Sequence, residues 1–288
     1  MNYYSGKGEA MRTVKIAADS SCDLFHLEHA DFASAPMKVI TAEREFVDNA
    51  DLDADGMTAY LEGYKGKSKS SCPNTTDWLN AFGGADDVFC VTITSKLSGS
   101  CNSAMAAKEI YESEHTGRRV FVIDTLSAGP EITLLVRKIE EYVKSGIDYD
   151  EICQRIREYR EKTGLLFMLK SLRNFANNGR VSPVVAKLVG VAGICIVGRA
   201  SDEGTLEPMH KCRGEQRSLR MITEELAKRG FSSGKVSIGH CMNEEAALRL
   251  RGMILMKFPD ADVEIHALRG LCSFYAEKGG VLVGFEKG

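Results

Sequence analysis

The chain has 288 residues, of which 44% are hydrophobic and 27% charged, and its formal net charge is −3 from 37 basic and 40 acidic residues. That near balance, with no long basic run, argues against a general nucleic-acid binder or a binder of membrane surfaces. No segment approaches the roughly 18 consecutive apolar residues that span a bilayer, so no integral membrane segment is expected.

Met1 to Met11 is polar and contains glycine, unlike the apolar core of a secretory signal. It reads as a disordered lead, with Met11 an alternative start, and the missing signal points to the cytoplasm. Val14-Lys15-Ile16-Ala17 predicts a strand ending in the polar turn Asp19-Ser20-Ser21, and Met37-Lys38-Val39-Ile40 predicts a second. Residues 56–64 carry a short helical pattern around Met57, Tyr60 and Leu61. Lys65 to Asn74 reads as a loop, after which Thr75 or Thr76 can cap a helix holding Trp78, Leu79 and Phe82. Val88 to Ile93 is a continuous β-prone run of the kind buried in a parallel sheet. Thr94-Ser95-Lys96-Leu97 follows as a loop, then an Ala-rich helix from about Ser98 to Ser113. Val120 to Ile123 predicts a strand. The next helix carries Pro130 in its first turn, where proline is tolerated, and runs to Gly146. Residues 149–162 read as a connecting helix. Strands alternating with helices define βαβ units and a parallel sheet.

Beyond residue 163 the character changes. Short strands are predicted at Leu165–Leu169, Gly193–Val197, Leu206–His210, Val236–His240, Val263–Ala267 and Val281–Phe285. Helices are predicted at Glu215–Lys228 and Glu244–Lys257. A boundary near 163 separates a parallel α/β half, 12–163, from an α+β half, 164–288.

The chain has nine cysteines, an odd number with no C-x-x-C pair, so reduced thiols are expected rather than a disulfide framework or zinc knuckle. The most informative stretch is Thr94-Ser95-Lys96-Leu97-Ser98-Gly99-Ser100, between a buried strand and a helix start. In an open parallel sheet the binding crevice lies outside the carboxyl ends of the strands, and a helix start offers unpaired N–H groups to an anion. Ser98 can add a hydroxyl donor and Gly99 lets a ligand approach the backbone; the plainer reading is that Ser98 caps its helix. Ser70-Ser71-Cys72-Pro73-Asn74 is a second hydroxyl-rich loop, able to converge on the same carboxylate or phosphate or to be an ordinary surface loop. Asp19 and Asp23, after the first strand, can orient hydroxyls of neighbouring loops or merely cap. Arg180, in the turn Asn177-Asn178-Gly179-Arg180-Val181-Ser182-Pro183, can reach an anion or a partner protein, or be a solvated charge.

Taken in order, these stretches resemble the DegV family of bacterial fatty-acid-binding proteins. Ala18-Asp19-Ser20-Ser21-Cys22-Asp23-Leu24 is similar to the family's T-D-S-T-x-D-L, and Ser70-Ser71-Cys72-Pro73-Asn74 stands where the family has T-S-x-P-S. Thr94 to Ala104 is close to S-S-x-L-S-G-T-Y-x-S-A. Val122-Ile123-Asp124-Thr125 with Ser127-Ala128 resembles V-I-D-S-x-S-A-S, Asn178 to Ser182 resembles G-G-R-I-S, and Lys211-Cys212-Arg213-Gly214 resembles K-x-R-G. The resemblance implies an N-terminal three-layer α/β/α domain with a mainly parallel sheet and a C-terminal two-layer α+β domain with a mixed sheet. It implies a long-chain fatty acid in a tunnel between them, with its carboxylate on Ser70 and Ser98 and the backbone of Gly99; Ser71 belongs to the same loop. It implies no cofactor and no catalysis by the chain itself. A separate ATP-dependent fatty acid kinase would phosphorylate the bound carboxylate for phospholipid synthesis.

Near the C-terminus the family shows T-H-x-G-P-G, its histidine beside the carboxylate. Here Ser273-Phe274-Tyr275-Ala276-Glu277-Lys278-Gly279-Gly280 occupies that place, with Tyr275 at the histidine's position. A phenol can donate the same hydrogen bond but carries no positive charge near pH 7. Phe167, Met168, Leu188, Val189 and Ile194 are candidate tunnel residues, each equally at home in a plain core. Two rival readings use the same stretches. A serine hydrolase would take Ser98 with His240 and Asp19 or Asp124, though no G-x-S-x-G elbow exists. A metal or redox site would use Cys22, Cys72, Cys101 and Cys272, although buried cysteine is usually a small hydrophobe.

Overall fold

Strand β1 (Val14–Asp19) pairs in parallel with β2 (Asp31–Ala35) on one side and with β6 (Asp87–Thr92) on the other. β7 (Arg119–Asp124) extends the sheet, again in parallel, giving the order β2-β1-β6-β7. The computed structural model describes residues 12–181, 185 and 193–287. The lead Met1 to Met11, Ser182 and Pro183 of the arginine turn, and the tunnel candidates Leu188 and Val189 lie outside the described residues. All six residues of β6 are buried, because helices cover both faces. Helices α2 (Thr75–Phe82) and α3 (Ser100–Glu114) pack Trp78, Phe82, Ala104 and Ala107 on one face, against Val88 and Cys90. Helices α4 (Pro130–Lys144) and α5 (Tyr149–Glu161) bring Ile132, Leu135, Ile139, Ile152 and Ile156 to the other, against Ile16, Phe89 and Val91.

The second sheet is mixed. It contains β8 (Thr163–Leu169), β9 (Ile194–Ala200), β10 (Leu206–Arg213), β11 (Gly234–His240), β12 (Ala261–Ala267) and β13 (Val281–Glu286), in the order β10-β9-β8-β13-β11-β12. Only β11 and β12 run in parallel. Helices α7 (Glu215–Lys228) and α8 (Glu244–Lys257) cover one face. The strand period of two sorts β8: Leu166 and Met168 point to those helices, while Leu165, Phe167 and Leu169 point the other way. That second face meets α4, which is therefore wedged between the two sheets. Gly284 on β13 makes the approach possible, since a Cβ there would lie 2.5 Å from backbone atoms of Pro130 and Glu131. The wedge buries Glu131, whose carboxyl accepts the hydroxyls of Ser127 and Thr163 while burial pushes its pKa up.

A third, small antiparallel sheet has the order β4-β3-β5, from β3 (Lys38–Ile40), β4 (Glu45–Val47) and β5 (Lys69–Ser71). It corrects the sequence expectation of a loop over Lys65 to Asn74. Lys-Ser-Ser carries no alternating apolar pattern; it is a strand because β3 pairs with it, Val39 opposite Ser70. Helix α1 (Ala54–Gly63) seals this sheet with Met57 and Leu61 against Val39 and Phe274. The cap of α2 is Asn74, in a reciprocal capping box with Asp77, rather than Thr75 or Thr76. Helix α3 starts at Ser100, two residues after the predicted Ser98. Two short helices, α6 (Arg173–Asn177) and α9 (Gly270–Ala276), gave no periodic signal in the sequence. Among the described residues no helix is long and apolar enough to cross a membrane.

Candidate functional site

The polar turn after β1 sets the frame. Asp19 is fully buried and accepts three hydrogen bonds, from the hydroxyls of Ser21 and Ser100 and from the Ile93 N–H at 2.8 Å. It thus ties the start of α3 to the end of β6. Burial pushes its carboxyl pKa up, against the pull of those three donors. Ser20 donates to Asp48 at 2.7 Å. Asp48 in turn accepts the Gly270 and Leu271 N–H groups, both at 2.9 Å, so the first free donors of α9 are satisfied from the N-terminal half. This fixes the helix that carries Tyr275.

Three segments then converge. The first is the loop between β6 and α3. Ser98 Oγ accepts the Ser100 N–H at 3.2 Å, and among the described residues its own proton has no acceptor. Gly99 lies against the second segment, because a Cβ there would be 3.2 Å from Cys72 Sγ. The second is β5 and its exit, Ser70-Ser71-Cys72. Ser70 Oγ and Tyr275 Oη are 2.7 Å apart. One hydroxyl donates to the other, which leaves one O–H of the pair to donate outward. Burial raises the Tyr275 phenol above its ordinary value, so it stays a neutral donor near pH 7. The third is the turn after α6. Arg180 Nε donates to Leu97 O at 2.8 Å and Nη1 to Asn178 O, so this guanidinium bridges the second half of the chain to the serine loop.

These groups stand at the wall of a cavity of about 330 Å³ between the parallel and mixed sheets. Small-molecule sites run from about 300 to 1,000 Å³. Its polar side holds Ser70, Ser71, Ser98, Gly99, Arg180 and Tyr275. Its apolar side is built from Met37, Ile93, Leu165, Phe167, Leu271 and Leu282, among others. Six of the eight candidate site residues from the sequence therefore face one space. Asp19 and Asp23 do not line it; Asp19 lies behind the wall and braces the loop. Of the tunnel candidates Phe167 lines the cavity. Met168 faces α7 and α8 instead, and Ile194 is not part of the lining. Leu165, Leu169 and Leu282 were missed individually, although the alternation in β8 shows that 165, 167 and 169 share a face. Phe175 was missed because α6 has no pattern; its ring stacks on Tyr275 with centroids 4.6 Å apart.

The hydrolase constellation does not assemble. No described residue lining the cavity is a histidine, so Ser98 has no base. His240 Nδ1 instead faces the Asn243 N–H at 3.4 Å, and Asp124 accepts the Ser95 and Leu126 N–H groups. Cys72 and Cys272 line the cavity, with burial raising both thiols, and among the described residues no group of three or more His, Cys, Asp or Glu is placed to hold a metal ion.

Fold and site together define an α/β protein of two large sheets and one small one, with an apolar cavity ending in hydroxyl donors. The chain belongs to the DegV family: a family model described as "Uncharacterised protein, DegV family" matches residues 13–287. A DegV domain-containing protein of Streptococcus gordonii is 41% identical over 280 residues, covering 96% of this chain and all of the relative. A DegV family protein from Eubacterium eligens, solved loaded with heptadecanoic acid, superposes with TM-score 0.94 at 40% identity over 96% of this chain and 100% of that one. The Streptococcus pneumoniae Fatty Acid Kinase (Fak) B3 protein, solved loaded with linoleic acid, gives TM-score 0.94 at 42% identity with the same coverage.

Proposed function

We propose that this chain is a cytoplasmic carrier of one long-chain fatty acid. It holds the acyl chain in the cavity between the sheets and presents the carboxylate to a separate ATP-dependent fatty acid kinase, feeding phospholipid synthesis. The chain catalyses nothing itself and needs no cofactor. The observation that carries this reading is the cavity: apolar walls from both sheets, closed at one side by the hydroxyls of Ser70, Ser98 and Tyr275. Two proteins similar to it over nearly their whole length were solved with fatty acids bound, and one of them is described as a Fatty Acid Kinase protein.

The energetics suit a carrier. A C16-type chain buries on the order of 15 methylenes at about 0.8 kcal/mol each, so gross transfer supplies roughly 12 kcal/mol. The head group then needs only enough hydrogen bonds to offset its desolvation. Neutral hydroxyls do this while leaving the carboxylate oxygen able to attack the γ-phosphorus of ATP, with ADP leaving. The test is to mix the palmitate-loaded protein with a bacterial fatty acid kinase, ATP and Mg²⁺, and to trap acyl phosphate with hydroxylamine. Hydroxamate at a rate within tenfold of the S. pneumoniae Fatty Acid Kinase B3 protein is expected. No product, with that control active, contradicts the kinase step.

A further inference from the structure

We infer that Asn178 is a positioning residue for the head group: its carboxamide fixes Ser70, and through Ser70 the hydroxyl of Tyr275, in the orientation that receives the ligand's carboxylate. This rests on the proposed fatty-acid site. Asn178 does not line the cavity. Its side chain nonetheless makes three hydrogen bonds that use its oxygen and its amide nitrogen. Oδ1 accepts the Ser70 N–H at 3.1 Å, while Nδ2 donates to Ser68 O at 3.2 Å and Asn174 O at 2.9 Å. The reverse amide orientation would set N–H against N–H and oxygen against two carbonyls, so this one is dictated by its partners. Its own carbonyl accepts from Arg180 Nη1. One residue therefore holds the backbone at Ser68 and at Ser70, leading into the binding hydroxyl, and also steadies the arginine at the cavity wall.

The frame behind Asn178 is tied to Tyr275 as well. Asn174 Nδ2 donates to Phe274 O at 2.7 Å, joining α6 to α9. Glu277 Oε1 accepts the Asn174 N–H at 3.2 Å, and Oε2 lies 3.6 Å from Arg173 Nη2. Glu277 holds this place with φ +53° and ψ 167°, a conformation almost confined to glycine and costing about 1–3 kcal/mol. A strained glutamate whose carboxylate secures the start of α6 keeps Asn178 and Tyr275 on one rigid unit. The two hydroxyls of the Ser70–Tyr275 pair are thereby positioned from two sides by the same short helix.

A positioning role for the head group separates from a general structural role by ligand chemistry. Asn178→Ala, Ser70→Ala and the double variant are compared with the wild type for binding of palmitic acid and of hexadecanol, which shares the chain but lacks the carboxylate. The wild type is expected to prefer the acid at least tenfold; equal affinity would sink the proposed head-group site itself, whatever Asn178 does. Given that preference, Asn178→Ala is expected to weaken the acid three- to tenfold and the alcohol less than twofold, with no further loss in the Ser70→Ala background. Equal losses for both ligands, or additive losses in the double variant, overturn the inference. Should Asn178→Ala fail to fold, Asn178→Gln, which keeps the amide but displaces it by one methylene from its three partners, takes its place; an acid-selective loss supports the role, and an equal loss or none overturns it.

Discussion

Tyr275→Phe isolates one atom of the site. The ring stays packed against Phe175 at 4.6 Å and Phe274 at 4.9 Å between centroids, so the cavity keeps its shape. What disappears is the hydroxyl 2.7 Å from Ser70 Oγ. In the unliganded protein that bond is worth about 0.5–1.5 kcal/mol net, a small change in melting temperature. With a carboxylate bound, the pair's hydrogen bonding is to a charged group and worth about 1.5–3 kcal/mol, or roughly a 10- to 150-fold loss in affinity. Competitive displacement of a fluorescent fatty acid at pH 7.4 measures it. A second substitution gives the sign with pH. Tyr275→His places a group of ordinary pKa about 6.5 at that position, and its cationic form attracts the carboxylate. Affinity of that variant should rise as pH falls from 8 to 6. The wild type should stay flat there, because burial lifts the phenol above its ordinary value and it does not titrate in that range. A Tyr275→Phe loss below twofold, or a wild type with the histidine variant's pH slope, would refute the assignment of this phenol to the head group.

Ser98→Ala removes a hydroxyl at the cavity wall whose proton has no acceptor among the described residues, and should cut retention of the acid about tenfold while leaving the melting temperature within about 2 °C, read by displacement and calorimetry. Leu282→Trp on β13 pushes bulk into the apolar side of the cavity; the profile of co-purified acids should shift to shorter chains, and an unchanged profile would place the alkyl tail elsewhere. Asp23 has one carboxylate oxygen on the Arg269 N–H at 2.8 Å, and burial pushes its pKa up to about 8. The folded state therefore keeps a proton that the unfolded chain, near pKa 3.9, releases, so this group's contribution to stability falls as pH rises from about 4 to 8. Asp23→Asn should flatten the fall in melting temperature between pH 5 and 8; parallel profiles would contradict the shift.

How much was legible follows from how each feature is encoded. The parallel sheet was readable because β6 is buried on both faces and so spells a continuous β-prone run, and strands of the second half because β8 and β13 are short apolar runs, whereas the mixed sheet itself was only implied by the family resemblance. The serine loops were readable from hydroxyls placed before helix starts. β5 was not, because Lys69, Ser70 and Ser71 are a strand only by pairing with β3. α6 and α9, at five and seven residues, are too short to show a helical period and are held by Asp48, Asn174 and Glu277 from other segments. Asp19 drew attention for the right chemistry at the wrong depth: it does orient hydroxyls, but from behind the wall. Asn178 showed no role in the sequence because two of its three partners, Ser68 and Ser70, lie 110 and 108 residues away.

The central claim is tested by weighing what the protein carries. Native mass spectrometry of the purified chain, followed by organic extraction, should show one long-chain fatty acid per polypeptide and its free acid in the extract. Protein at the bare polypeptide mass that gains no mass on incubation with palmitate or oleate would contradict the account.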